Sequence, residues 1–233
     1  MLYPGTVTLE GEKRAAAEYA AGLVEDGMRV GLGTGTTVAP LIPALAARGL
    51  RLRCVATSEA TARAAEAAGL TLDTLDGVGE LDIAIDGADQ IAPGPWLIKG
   101  GGRAHTREKL VAAAAARFVV IASHDKPVPR LTPPVPLELL AFGLEATLRR
   151  LEHAVLRGGA KSPDGGVIAD WTGPIDDPAQ LARRLEGEPG VVDHGLFAPT
   201  LVTDVVVATG EAIDHTRHWI SPGSPPRRAP GRA

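Results

Sequence analysis

Apolar and polar positions switch between two periods along the first half of the chain. Apolar residues recur at helical spacing from about Glu12 to Val24, Asp26-Gly27 stop that run, and Met28 to Leu32 form a short apolar block of strand length. A second helix is predicted with Thr36 or Thr37 as its cap, running to Arg48-Gly49, with Pro40 in the tolerated first turn and Pro43 kinking it or delaying its start. Leu52 to Ala56 reads as a strand and Ser58 to Ala68 as an alanine-rich helix ended by Gly69; Leu72 to Leu75 and Leu81 to Ile85 read as further strands. Trp96 to Ile98, a helix over about Arg103 to Ala116 and a strand over Phe118 to Ala122 complete this half. Strands alternating with helices predict an α/β fold whose parallel sheet is covered on both faces.

The pattern changes after Lys126, where Pro127, Pro129, Pro133, Pro134 and Pro136 predict a rigid, extended connection. Beyond it come a strand at Leu137 to Leu140, a helix over about Phe142 to Leu156, and a turn at Pro163-Asp164-Gly165-Gly166. A strand at Val167 to Ala169, a helix capped by Asp177 with Pro178 in its first position, and a strand at Val202 to Ala208 follow. This order predicts a small α+β unit whose last strand returns to the first unit. From Arg217 onward the chain carries four arginines, four prolines and no acid, a composition that predicts disorder. The expected division is 1–128 with 204–220 as the main unit, 129–203 as the smaller one, and 221–233 as a tail.

Composition narrows the class. With 233 residues, 45% of them hydrophobic, the chain can bury a sizeable core. A net charge of −4 and 3% aromatic residues provide neither a basic field nor stacking platforms for nucleic acid. Cys54 stands alone, which excludes an intrachain disulfide and suits a reducing compartment. No apolar run approaches the ~18 residues of a membrane-spanning helix. A soluble, cytoplasmic protein is therefore expected, with no nucleic-acid or membrane partner. There are only five lysines (Lys13, Lys99, Lys109, Lys126, Lys161) against nineteen arginines, so a lysine in a glycine-rich segment draws notice.

Three segments carry candidate chemistry. Gly31-Leu32-Gly33-Thr34-Gly35-Thr36-Thr37 lies between a predicted strand and helix, where exposed amides and threonine hydroxyls suit the oxygens of a phosphate. Thr36 occupies the third glycine position of a dinucleotide fingerprint, and no Gly-Lys-Ser/Thr of a Walker loop follows. In Leu81-Asp82-Ile83-Ala84-Ile85-Asp86-Gly87-Ala88-Asp89-Gln90, Asp86 and Asp89 fall at the carboxyl end of a buried strand, two carboxylates suited to acid–base work. In Leu97-Ile98-Lys99-Gly100-Gly101-Gly102-Arg103, three glycines after a strand imply a close backbone approach, with Lys99 beside them. Glu108, taken alone, reads as an ordinary acid in the first turns of a helix. The six histidines show no metal-ligand spacing, and no Gly-x-Ser-x-Gly elbow is present.

Taken in order, Lys13, GLGTGTT, ATSEAT (Ala56 to Thr61), IDGADQ, IKGGG with TREK, ASHDK, and the later Pro189-Gly190-Val191-Val192 and His194-Gly195-Leu196-Phe197 resemble type A ribose-5-phosphate isomerase. The resemblance runs from about Lys13 to Ile213. It implies a Rossmann-like main domain with a smaller ferredoxin-like lid, assembled as a homodimer or homotetramer. It also implies aldose–ketose interconversion of ribose 5-phosphate and ribulose 5-phosphate through an enediol, in the non-oxidative pentose phosphate pathway, without metal or cofactor. Matching positions make Glu108 the base, with Asp86, Asp89 and Lys99 handling ring opening, hydroxyl protons and the enediolate. Lys13, Thr34, Gly35, Thr36, Thr37 and Lys126, with the Gly100, Gly101 and Gly102 loop, would bind the substrate. The chain departs from the family where Gln90 replaces the usual Glu, removing a charge beside the acid pair, and where Arg103 and His105 replace small residues. The lid turn at Pro163 to Gly166 and the Ser123-His124-Asp125 segment also differ. Two alternatives share the general architecture: an amino-sugar-phosphate deaminase, which lacks the IKGGG–TREK pairing, and a sugar-phosphate sensor, which should carry a basic DNA-binding module.

Overall fold

The computed structural model describes residues 8–218; the predicted tail at 221–233 lies outside the described residues. Helix α1 (Leu9–Ala21) begins where the Thr8 hydroxyl accepts a hydrogen bond from the Gly11 amide (3.2 Å), and Glu10 and Glu12 occupy its first turn. Strand β1 (Arg29–Leu32), helix α2 (Leu41–Ala46), strand β2 (Arg53–Ala56) and helix α3 (Glu59–Ala67) follow. Helix α2 is shorter than predicted. The Val38 and Ala39 amides both reach the Gly35 carbonyl in turns over 36–40, and neither Pro40 nor Pro43 has an amide hydrogen to extend a helical ladder through them. The strand predicted at Leu72 to Leu75 does not form. Only Leu72 bridges, to Cys54, and Thr74 instead caps one helical turn, α4 (Leu75–Val78), accepting from the Gly77 amide (3.0 Å).

Strand β3 (Ile83–Gly87) is buried along its whole length and is followed by the short strands β4 (Gln90–Ile91) and β5 (Leu97–Ile98), helix α5 (His105–Ala114) and strand β6 (Phe118–Ser123). Strand β7 (Val135–Leu139) takes Pro136 out of the predicted proline-rich connection and pairs it across from Asp170. Helix α6 (Leu144–Leu151) ends five residues before the predicted Leu156. Glu152 adopts a positive φ of 55°, and Ala154–Leu156 become strand β8, because their backbone groups find partners on strand β9 (Val167–Trp171). Helix α7 (Pro178–Glu186) starts as predicted, the Asp177 carboxylate accepting from the Ala179 and Gln180 amides. Strands β10 (Val191–His194), β11 (Leu196–Phe197), β12 (Asp204–Thr209) and β13 (Ala212–Arg217) close the described chain.

The main sheet runs β13-β12-β6-β3-β1-β2, parallel except for β13. Ile83 and Ile85 pack into the core on one face of it, with Ala16, Ala20 and Leu41. Ala84 enters the core on the other face, with Val111, Phe118 and Phe197. From β1 the chain steps outward to β2 and then returns to β3 on β1's other side. That reversal leaves an open crevice at the carboxyl ends of β1 and β3, where sheets of this kind bind ligands. A second, antiparallel sheet in the order β10-β7-β9-β8 carries α6 and α7 in the β-α-β-β-α-β order of ferredoxin-like units, with Leu151, Leu181, Leu185 and Trp171 in its core. A small antiparallel sheet, β11-β5-β4, joins the two. Buried Cys54, its thiol pushed up to about 11 by burial, is a protonated core residue.

Candidate active site

The turn after β1, the loops after β3 and β5 and the first turns of α5 converge on one cavity of about 300 Å³. Lys13, Thr34, Gly35, Thr36, Thr37, Asp89, Lys99, Gly100, Gly101, Gly102, Glu108 and Lys126 all line it. Of the residues the family resemblance places in catalysis or substrate binding, Asp86 alone stands behind this wall rather than in it.

Lys99 is the centre of the site. Its ammonium lies 2.9 Å from Asp86 Oδ2 and 2.8 Å from Glu108 Oε2, and donates to the Gly87 carbonyl at 2.7 Å. All three side chains are almost wholly buried. The close carboxylates are therefore Asp86 and Glu108, sharing one cation. The sequence had suggested Asp86 and Asp89, but Asp89 faces the cavity and accepts from the Gly101 amide (2.8 Å). Burial and the charge of Asp86 push Glu108 up to about 7, against the opposing pull of Lys99. Burial raises Asp86 as well, although Lys99 and the Gly87 and Thr34 amides favour its ionised form. Burial alone would lower Lys99, but the two carboxylates outweigh it and hold the ammonium charged. Gly33 is required by this packing: a Cβ there would lie 2.0 Å from the Asp86 carboxylate.

The turn after β1 forms a second feature. The amides of Gly35, Thr36 and Thr37 and the hydroxyls of Thr36 and Thr37 make no hydrogen bond to any described residue. Thr34 differs from the expectation that its hydroxyl faces a phosphate. Its Oγ1 lies 2.7 Å from Thr57 Oγ1 and 3.3 Å from Thr61 Oγ1, and those two donate to the Leu32 and Gly33 carbonyls. This is what the ATSEAT segment does: it braces the turn from below. Lys13 and Lys126 bring two ammonium groups to the rim, paired with Glu10 (2.6 Å) and Asp125 (3.1 Å).

Several further residues support the site. Buried Glu12 accepts from the Gly210 amide (2.8 Å) and from the His124 amide and ring (3.2 and 2.7 Å), pinning α1, and with it Lys13, to the ends of β6 and β12. Those same contacts, the Gly210 amide first, hold its carboxyl below the ordinary range. Lys109 anchors α5 to β10 through Asp193 (2.5 Å) and the His194 carbonyl (2.6 Å). His105 is fully buried; burial and the charge of Lys109 depress it to about 3, so it is neutral. His105 is marked in the sequence as a departure from the family, whereas the support given by Glu12 and Lys109 shows only in their burial and partners.

Gln90 also departs from its expected influence on the acid pair. Its amide turns away, donating to the Thr132 carbonyl (2.8 Å) and accepting from the Thr132 amide (2.8 Å), and so clips β4 to the proline-rich segment.

Comparison with known proteins agrees with this geometry. The profile of the family described as Ribose 5-phosphate isomerase A (phosphoriboisomerase A) matches residues 53–212. A ribose-5-phosphate isomerase A of Caulobacter vibrioides is 45% identical over 223 residues, covering 89% of this chain and 98% of its own. Among solved structures, ribose 5-phosphate isomerase A from Neisseria gonorrhoeae superposes with a TM-score of 0.87 at 32% identity, covering 91% of this chain and 99% of its own. The enzyme from Methanocaldococcus jannaschii gives 0.84 at 34%, covering 91% and 100%. The chain belongs to the ribose 5-phosphate isomerase A family.

Proposed function

We propose that the chain interconverts D-ribose 5-phosphate and D-ribulose 5-phosphate through an enediolate, with Glu108 as the base that carries a proton between C2 and C1. The deciding observation is the Lys99 ammonium shared by two buried carboxylates in the wall of a cavity that also holds an unpaired amide turn and two further lysines. Family membership favours an isomerase over the deaminase and sensor alternatives.

The free amides of Gly35, Thr36 and Thr37, with the Thr36 and Thr37 hydroxyls, suit the phosphate oxygens, and Lys13 and Lys126 offset their charge. The Gly100 to Gly102 loop lines the cavity where the sugar hydroxyls would lie. Asp89, facing the cavity, moves hydroxyl protons: it assists ring opening and later shuttles a proton from O2 to O1. In the open aldose, Glu108 takes the C2 proton, the C–H electrons form the C1–C2 double bond, and O1 becomes the enediolate oxygen. In the resting site the Lys99 ammonium donates to the Gly87 carbonyl and is ion-paired with Asp86 and Glu108. Once Glu108 is protonated its charge is gone, and the ammonium that balanced it is released to the developing oxyanion. Glu108 then gives its proton to C1 as O2 becomes the ketose carbonyl. Asp86, out of reach of the cavity, keeps Lys99 charged and aimed. A base held near neutrality by burial suits this exchange at physiological pH.

A coupled assay with ribose 5-phosphate tests the proposal: the wild type turns over and Glu108→Gln loses most of that turnover. A folded wild type inactive on both pentose phosphates overturns it. We assign the protein to the cytoplasm as a homodimer or homotetramer. Exposed apolar side chains at Leu140, Phe142, Val155, Leu156 and Val192 support self-association, and sedimentation of the purified chain checks it. The sheets support 1–128 with 204–220 as the catalytic unit and 129–203 as the lid.

A further inference from the structure

The glycine loop after β5 is held from outside the main sheet. Arg157, in the segment after β8, donates through Nη1 to the Gly100 carbonyl at 3.0 Å. Its Nε donates to Asp170 Oδ2 on β9 at 2.8 Å, and Nη2 meets the other oxygen of the same carboxylate, a two-point grip that fixes the plane of the guanidinium. The Gly100 carbonyl and the Gly101 N–H belong to one peptide unit, and that N–H donates to Asp89 Oδ2 at 2.8 Å. An arginine charge is thus applied to one end of a peptide whose other end holds a carboxylate of the site. Hydrogen bonds in such a chain polarise one another, so the guanidinium strengthens the bond to Asp89 without touching it. The peptide can present its two ends this way because Gly100 has a φ of 110°, and a Cβ there would lie 2.8 Å from His105 Nδ1 and 2.9 Å from Pro136 Cβ. Arg103 closes the same turn, its amide reaching the Gly100 carbonyl at 3.0 Å while its guanidinium donates to the Gly158 and Ala160 carbonyls, both at 2.7 Å.

We propose that Arg157, oriented by Asp170, is a positioning residue for the isomerisation, acting on Asp89 through the Gly100–Gly101 peptide. The lid sheet thereby sets the geometry of a proton-transfer group on the main sheet. This inference rests on the part assigned above to Asp89.

A double-mutant cycle tests it. Arg157→Met should lower kcat about tenfold, with KM changed far less, while in an Asp89→Asn background the same change should cost less than about twofold, as expected for residues acting through one network. Arg157→Lys, which keeps the charge but not the fork, should recover part of kcat, and hydrogen exchange of the Gly101 amide should be faster in Arg157→Met than in wild type. Equal losses of kcat in both backgrounds, with Gly101 exchange unchanged, would show Arg157 to be a structural tie only and overturn the proposal. If Arg157→Met does not fold, Asp170→Asn loosens the same guanidinium and is read in the same cycle against the same two outcomes. A wild type without isomerase activity would instead defeat the functional assignment, and the Gly101 exchange comparison would still decide whether the relay exists.

Discussion

Two buried carboxylate clusters stand at opposite strand ends of the main sheet, and their charge ratios differ. At the amino end of β12, Asp204 alone receives Arg117 (2.7 and 2.8 Å), Arg217 (3.3 Å), the Thr203 hydroxyl (2.7 Å) and His215 (2.7 Å). Burial would raise its carboxyl, but these partners, Arg117 foremost, hold it far below 3.8. At the carboxyl end of β3, Asp86 and Glu108 share the single ammonium of Lys99, and both are raised. All three side chains are shut off from solvent, though Asp86 and Glu108 lie deeper than Asp204. The number of cations for each carboxylate differs as well. Two guanidiniums on one acid make an inert structural tie, whereas one ammonium under two acids leaves a proton acceptor near neutrality.

The sharpest way to break this contrast is to neutralise the acid at the site. Glu108→Gln should lower kcat by about 10²–10⁴, the usual loss for a positioned base. Its melting temperature should hold or rise, since one buried negative charge has gone; calorimetry beside the coupled assay reads both. Lys99→Met removes the shared cation and leaves two buried acids unpaired. It should cost about 3–5 kcal/mol in urea unfolding at pH 7 and abolish turnover. A variant as stable as wild type would show that the acids are neutral in the resting site.

The clusters should also carry opposite pH signatures. Glu108 acts ionised, so kcat/KM should be full above its raised value and fall as pH drops through about 7. Removing the like charge with Asp86→Asn should move that limb to lower pH, while a limb due to the substrate phosphate, near ~6, would stay in place. For stability, Glu108 binds its proton more tightly when folded, so its contribution falls as pH rises from 4.5 towards 7. Asp204 does the reverse: its contribution is complete above 3.8 and is lost as pH falls below that value. Unfolding midpoints measured across this range separate the two clusters. Asp204→Asn should then cost about 2 kcal/mol, as for hydrogen bonds to a charged group, with turnover within twofold of wild type. The smallest effect is expected from Gln90→Glu, which loses the donor to the Thr132 carbonyl: about 1 kcal/mol of stability and little change in rate.

Local sequence made much of this legible. The apolar blocks that became β1, β2, β3 and β6 alternate with helices, and that order alone indicates a parallel sheet with ligand loops at its carboxyl edge. The ordered motifs carried the family, and every candidate they marked except Asp86 lines the cavity. Short strands were not legible. Gln90–Ile91, Ala154–Leu156 and Leu196–Phe197 are too brief to show a period, and they become strands only because a partner's unpaired backbone lies alongside.

Sequence by itself determined the residue types at the site and their place at strand ends, because periodicity and glycine placement act over a few neighbouring residues. Tertiary structure decided which charges meet. That Lys99 joins Asp86 to Glu108 rather than to Asp89, that the Thr34 hydroxyl faces Thr57, and that Gln90 turns to Thr132 all depend on contacts between residues 9 to 42 positions apart. Burial sets the rest: Glu108 reads as a common helix acid in sequence, and only the loss of water around it, beside a second carboxylate, raises its carboxyl to about 7.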